Sequence, residues 1–243
     1  MIRQKSLRWP VSEQLYAIKN ADVHDVLRRG KYIILCLSTG SILIHLGMSG
    51  SLRVVESLKL PKKHDHVDFV LGSGKTIRFN DPRRFGCVLW ADNWQDHKLI
   101  SSLGVEPLTS DFTATYLFQA GKGKKLAIKQ FIMNSKIVVG VGNIYANEAL
   151  FLAGIHPERV TGTVSKRKMV LMVEKIKGVL AQAIEQGGTT LKDFVGSDGK
   201  PGYFQQQLLV YGRSGKACYQ CENTLLEIRQ NNRSTVYCKV CQK

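Results

Sequence analysis

The chain has 243 residues, 44% hydrophobic and 22% charged, which excludes intrinsic disorder and suits one large domain or two smaller ones. Its 35 Lys and Arg against 19 Asp and Glu give a formal charge of +16, which points to a polyanionic partner, nucleic acid first, over a charge kept for solubility. No apolar run approaches the ~20 residues of a membrane span, and residues 1–10 lack the apolar stretch of a secretory signal, so a cytoplasmic protein with no membrane partner is expected.

Residues 1–107 read as a β-rich domain. Short runs of branched and aromatic residues at Tyr32–Leu37, Ser41–Leu46, His66–Leu71, Lys75–Phe79 and Phe85–Trp90 are punctuated by turn signals at 38–40 and 72–74. This pattern predicts an antiparallel sandwich or barrel. Leu103–Asp111 reads as a linker, with Ser110 or Asp111 as a helix N-cap. From there the period turns helical, and residues 108–215 form a second expected domain. Its segments are Phe112–Ala120, Lys124–Met133, Ile144–Ala153 with Asn143 as N-cap, and a long amphipathic helix at Ser165–Gln186. Val170, Val173, Ile176, Val179, Leu180 and Ile184 mark the apolar stripe of that helix, and Gly187-Gly188 stops it.

Residues 216–243 form a third module. Cys218-x2-Cys221 and Cys238-x2-Cys241 are separated by sixteen residues. Two such knuckles supply the four thiolates of a closed, structural Zn²⁺ site, which the spacing favours over disulfides or a redox pair. A module of 28 residues has too little core to fold without the metal. Its Arg229, Arg233, Lys239 and Lys243 are expected to present positive charge to DNA. Cys36 and Cys87 stand alone in apolar contexts and read as buried thiols.

In Ala127–Glu148 two helices meet through Gly140 and Gly142, and Asn143 opens the second helix, whose N-terminal amides suit a phosphate. Lys124 and Lys129 add charge; an ordinary helical hairpin is the alternative.

Val139–Ala146, followed by Gly154–Pro157, resembles the helix–two-turns–helix of the formamidopyrimidine-DNA glycosylase family. His45–Arg53, Lys63–Asp68, Asp81–Gly86, Gly187–Phe194, Gly199–Phe204, Val210–Arg213 and the cysteine hairpin resemble the same family, in the family's order, from Leu7 to the last residue. The resemblance implies an α+β multidomain fold: an antiparallel β-sandwich, a helical domain with the helix–two-turns–helix and a zinc β-hairpin. It implies a monomer whose partner is double-stranded DNA containing oxidised purines or abasic sites, bound in a basic cleft. Such enzymes turn out and excise 8-oxoguanine and formamidopyrimidines, then cut the strand by β,δ-elimination.

By the same residue-by-residue resemblance, Met48, Arg83 and Phe85 fill the gap left by the everted base. Phosphate contacts fall on Lys31, His64, Arg83, Lys124, Lys129, Asn143 and Arg233, and catalytic proton-donor roles on Lys31 and Arg233. Val195–Phe204 resembles the segment that closes over 8-oxoguanine. The related endonuclease VIII type, acting on oxidised pyrimidines, is an alternative that this segment and the Met, Arg, Phe set argue against. A non-catalytic binder of damaged DNA is another.

Two departures stand out. Family members begin with a nucleophilic Pro followed by Glu, whereas this sequence opens Met1-Ile2-Arg3. The expectation is a start internal to a longer reading frame, favoured by the retained DNA-contacting residues, or else a natural truncation, with little or no glycosylase activity as written. Asn134-Ser135 replaces the family's usual Asp followed by Asn or Gln, a change expected to keep the local cap.

Overall fold

A computed structural model describes residues 1–4, 6–188 and 208–243. They divide into two units, Met1–Ser101 and Ser102–Gly188 with 208–243.

The first unit holds α1 (Gln14–Ala17), α2 (Lys98–Ser101) and two antiparallel sheets. One sheet has the order β1 (Val23–Arg29), β2 (Tyr32–Leu37), β3 (Gly40–His45), β7 (Cys87–Ala91). The other has the order β4 (Ser51–Glu56), β6 (Lys75–Asn80), β5 (Asp65–Val70). Leu35, Ile42, Ile44 and Val88 of the first sheet pack with Val67 and Phe79 of the second, joined by Leu7 and Val11. That shared core makes the unit a sandwich. The five predicted strands are present within about two residues of their expected bounds. β1 and β4 are not among the predicted strands: β1 is an edge strand exposed along most of its length, and β4 is half-exposed, so neither carries a sustained apolar run. Cys87 is buried and Cys36 half-buried.

Across the second sheet runs an ionic network. Arg78 binds both carboxylate oxygens of Asp68 at 2.9 Å, Arg53 binds Asp65 at 2.9 Å, and Arg3 also pairs with Asp68. Hydrogen bonds from Arg3 and Arg78 outweigh the upward push of burial and hold the Asp68 carboxyl at about 2.

The second unit packs α3 (Ala114–Gly121), α4 (Ile128–Ile132), α5 (Asn143–Leu152) and α6 (Lys166–Glu185) around Phe112, Phe131, Leu150, Met172 and Ile176. The hairpin of β8 (Leu226–Gln230) and β9 (Arg233–Tyr237) completes it. Several local expectations are corrected. Leu103–Asp111 is no slack linker: Gly104 N–H donates to Ser135 O at 2.8 Å and Val139 N–H to Val105 O at 3.1 Å, so the strip is laced to the α4–α5 connection. The α3 cap is Thr113, whose hydroxyl accepts Tyr116 N–H, not Ser110 or Asp111. α4 is shorter than expected because Ala127 bridges Val160 in extended conformation.

Gly142, in extended conformation, is the N-cap of α5, and Asn143 is its first helical residue. On α6, capped by Ser165, the buried stripe runs Met169, Met172, Val173, Ile176, Val179, Leu180, Ala183, leaving Val170 and Ile184 exposed. Gly187 and Gly188 close that helix, donating to Ile184 O and Ala183 O. Asn134 Oδ1 accepts Lys136 N–H at 3.0 Å, so Asn preserves the cap. Among the described residues no helix is long and apolar enough to cross a membrane.

Candidate nucleic-acid interface and metal centre

The four C-terminal thiols converge: the Sγ atoms of Cys218, Cys221, Cys238 and Cys241 lie within 4.8 Å of one another, with Cys218–Cys241 at 3.9 Å and Cys221–Cys238 at 3.4 Å. A tetrahedral ZnS₄ centre with bonds of about 2.3 Å spaces its sulfurs ~3.8 Å apart, so this set fits one Zn²⁺. Gln242 braces one knuckle, accepting Cys238 N–H at 2.9 Å and donating to Ile155 O at 2.9 Å. Phe151, Val210, Leu225 and Val236 pack around the cysteines. Four protein ligands leave no position for substrate, which makes the zinc structural.

α5 and α4 hold the hairpin through polar side chains. Asn143 Nδ2 and Lys129 Nζ both donate to Ser234 O at 3.0 Å, and Lys129 also donates to Thr235 Oγ1 at 2.6 Å. One turn along α5, Asn147 Oδ1 accepts Val236 N–H at 2.7 Å. Beside it, the buried Glu148 carboxylate accepts the N–H groups of Leu209, Val210 and Tyr211. Burial pushes Glu148 up despite these three bonds. At the hairpin tip Asn231 and Asn232 take φ of 47° and 60°, the primed turn that a tight hairpin needs, and exposed Arg233 follows. A cavity of about 270 Å³ is lined by Lys129, Gln130, Met133, Gln230, Asn231 and Arg233.

Lys129 is therefore not the solvated phosphate hand that its sequence position suggests. It is 1% exposed, and burial, helped by the Arg233 charge, lowers its ammonium to about 8. Lys124 is exposed in the α3–α4 turn, where its carbonyl accepts Gly162 N–H at 2.9 Å.

In the first unit, Met48 sits on the β3–β4 loop and is 64% exposed; Phe85 sits on the β6–β7 loop and is 44% exposed. The Arg83 guanidinium stacks 4.8 Å from the Phe85 ring centroid. The loops touch through backbone: Gly47 has φ +67°, and a Cβ there would lie 2.6 Å from Phe85 C and Gly86 N. His45 Nδ1 accepts Gly47 N–H at 2.8 Å. Burial, then the charges of Lys31 and Arg8, lower His45 to about 4, so it is neutral and able to accept at pH 7. Lys31 is exposed on the β1–β2 turn, and half-buried His64 accepts Asp81 N–H at 3.0 Å through its carbonyl. Thus Met48, Arg83 and Phe85 are brought together in one unit, and Lys129, Asn143 and Arg233 in the other. Val195–Phe204 lies outside the described residues.

Comparison with known proteins bears on the same regions. The chain matches the formamidopyrimidine-DNA glycosylase N-terminal domain over residues 1–88, the formamidopyrimidine-DNA glycosylase H2TH domain over 103–195, and the zinc finger found in FPG and IleRS over 215–243. It is 56% identical over 243 residues to the formamidopyrimidine-DNA glycosylase of Photobacterium profundum, covering 100% of this chain and 90% of that protein. The chain belongs to the formamidopyrimidine-DNA glycosylase family. The family member from Marinobacter nauticus is 54% identical over 244 residues, again with 100% and 90% covered. Among solved family structures, MutM (Fpg) of Thermus thermophilus superposes with a TM-score of 0.86 at 33% identity, over 95% of this chain and 86% of that one. A Lactococcus lactis Fpg variant bound to Fapy-dG DNA gives 0.87 at 29%, with the same 95% and 86%.

Sequence reasoning missed Asp81, Asn147 and Glu148, whose side chains accept backbone N–H groups of the β6–β7 turn, the hairpin and the 209–211 segment. The signals that could have pointed to them are faint: Asp81 precedes Pro82 in a turn-forming pair, and Asn147 stands four residues after Asn143.

Proposed function

We propose that this protein is a base-excision-repair glycosylase for oxidised purines that binds duplex DNA, everts 8-oxoguanine or a formamidopyrimidine, and fills the vacated space with Met48, Arg83 and Phe85. The observation that carries this reading is the exposed thioether and benzyl ring on two loops in backbone contact, with a guanidinium stacked beside them. Apolar side chains held in water this way gain when they enter a base stack, and the guanidinium can hydrogen-bond the base left without a partner. Solved relatives bound to Fapy-dG DNA and to DNA with carbocyclic 8-oxo-G support the lesion class.

Exposed Lys31, Lys124 and Arg233, with half-buried His64, supply phosphate contacts. Asn143 does so from the start of α5, where Gly142 offers no capping side chain to the first amides. Lys129 acts one step behind, through the hairpin. The reading extends to strand cleavage at the abasic site, with Lys31 and Arg233 as cations and proton donors beside the departing phosphate oxygens. A relative bound to abasic-site DNA supports that extension. Zinc held by thiolates suits the reducing cytoplasm, where the chromosome also lies.

The test is binding to matched duplexes with guanine or 8-oxoguanine at one position. The parent should prefer the lesion, and M48A/R83A/F85A should lose roughly tenfold or more of that preference, since unstacking a base step costs a few kcal/mol. Unchanged preference in the triple variant would overturn the reading. Strand scission at a preformed abasic site reads the cleavage part separately: a product with the strand cut on both sides of the sugar supports it, and an intact strand overturns it for this polypeptide.

A further inference from the structure

The two loops that carry Met48 and Arg83–Phe85 share a single buried anchor. Asp81 is fully buried at the head of the β6–β7 loop. Its Oδ2 accepts Gly86 N–H at 2.7 Å and its Oδ1 accepts Arg83 N–H at 3.3 Å, so the carboxylate spans the turn that displays Arg83 and Phe85. Ser49 Oγ, from the residue after Met48, donates to the same Oδ1 at 3.4 Å. The Asp81 main chain ties in the neighbouring strand, its carbonyl accepting His66 Nε2 at 2.8 Å.

The space around this carboxylate is closed. A Cβ on Gly86 would lie 2.4 Å from His45 O and 3.1 Å from Asp81 Oδ2, so the β6–β7 loop packs backbone to backbone against the end of β3 beside this carboxylate. Within the 81–86 turn Arg84 is held at φ +55°, a conformation that L residues adopt at a cost. A buried carboxylate is costly unless its lone pairs are met, and here they are met by donors from both loops.

We propose that Asp81 is a positioning residue: its carboxylate couples the Met48 loop to the Arg83–Phe85 loop, so that the three side chains enter the duplex as one preset body. This rests on the gap-filling reading above, and the experiment separates the two. Being buried, Asp81 acts without touching DNA.

The probe is a duplex carrying a tetrahydrofuran abasic analogue opposite 2-aminopurine, whose fluorescence reports insertion of side chains into the stack. D81N keeps the shape but sets an NH₂ donor against a backbone N–H, whichever way the amide faces. It should lose about tenfold of the preference for the analogue duplex over intact duplex, and most of the fluorescence change, while intact-duplex affinity stays within about twofold. S49A removes only the bond between loops and should lose about threefold. On the M48A/R83A/F85A background D81N should add nothing. If D81N matches the parent in preference and fluorescence while the triple variant fails, the Asp81 proposal is overturned and the gap-filling reading stands. If the triple variant keeps its preference, both fall. Should D81N fail to fold, S49A decides, and parental behaviour there overturns the proposal.

Discussion

Lys129 Nζ donates to Ser234 O at 3.0 Å, so a buried ammonium on α4 fixes the residue that follows Arg233 on the zinc hairpin. On the proposed reading the phosphate-facing cation, Arg233, and its anchor, Lys129, are thus different residues, although both are basic.

Their roles separate by salt dependence. K129M should lower stability by about 2 kcal/mol, the scale of a charged hydrogen bond lost from a buried site, and weaken DNA binding severalfold. The slope of log affinity against log salt should stay unchanged, because no counterion is released at a buried ammonium. K124A and R233A should each flatten that slope by about 0.9 with little change in stability. Denaturant unfolding with binding titrations between 50 and 200 mM salt, about the range where the effect is large, checks both.

The lowered Lys129 value has a definite sign in pH. With a folded value near 8 and an ordinary value of 10.5, the unfolded chain holds more protons than the native one between these limits. The contribution of Lys129 to stability therefore rises as pH increases from about 8 to about 10.5. Comparing melting temperatures of parent and K129M across that window should show the rise in the parent alone. A parallel pH dependence in the two would contradict it.

Asp68 behaves oppositely. Its folded value is about 2, below the ordinary 3.8, so its ion pairs stabilise fully above about pH 4 and are lost as pH falls through 2. D68N should cost about 2 kcal/mol at pH 7, the scale of charge-assisted hydrogen bonds lost, because Arg78 keeps Asp65 at 3.7 Å and the carbonyls of Lys59 and Leu60. The difference between parent and variant should shrink towards pH 2 in acid denaturation followed by circular dichroism.

Metal analysis should return one zinc per chain. Chelation or C238S should unfold the β8–β9 hairpin, since the polar bonds from Lys129, Asn143 and Asn147 and the small cluster around Phe151 and Val236 bury too little apolar surface to hold it without the metal. DNA binding should fall with the lost placement of Arg233, while the β-sandwich keeps its spectroscopic signal. Hydrogen exchange resolved along the chain would show which segments open.

Some features of this protein are written in local patterns. The strands β2, β3, β5, β6 and β7 follow from short runs of branched and aromatic residues bounded by turn residues, and the zinc ligands follow from two short cysteine spacings. Motif order carried the family, and with it Met48, Arg83 and Phe85 as a set. Tertiary structure decided the rest, because burial of a polar group depends on what packs against it from afar. Lys129 looks like a surface cation until the hairpin, 105 residues later, closes over it. Asp81 looks like a turn former until Ser49, 32 residues earlier, reaches it. The N-caps differ from the expected ones too: Thr113, not Ser110 or Asp111, accepts Tyr116 N–H, and Gly142 precedes α5 while the Asn143 side chain reaches the hairpin at Ser234, a contact that composition alone does not encode.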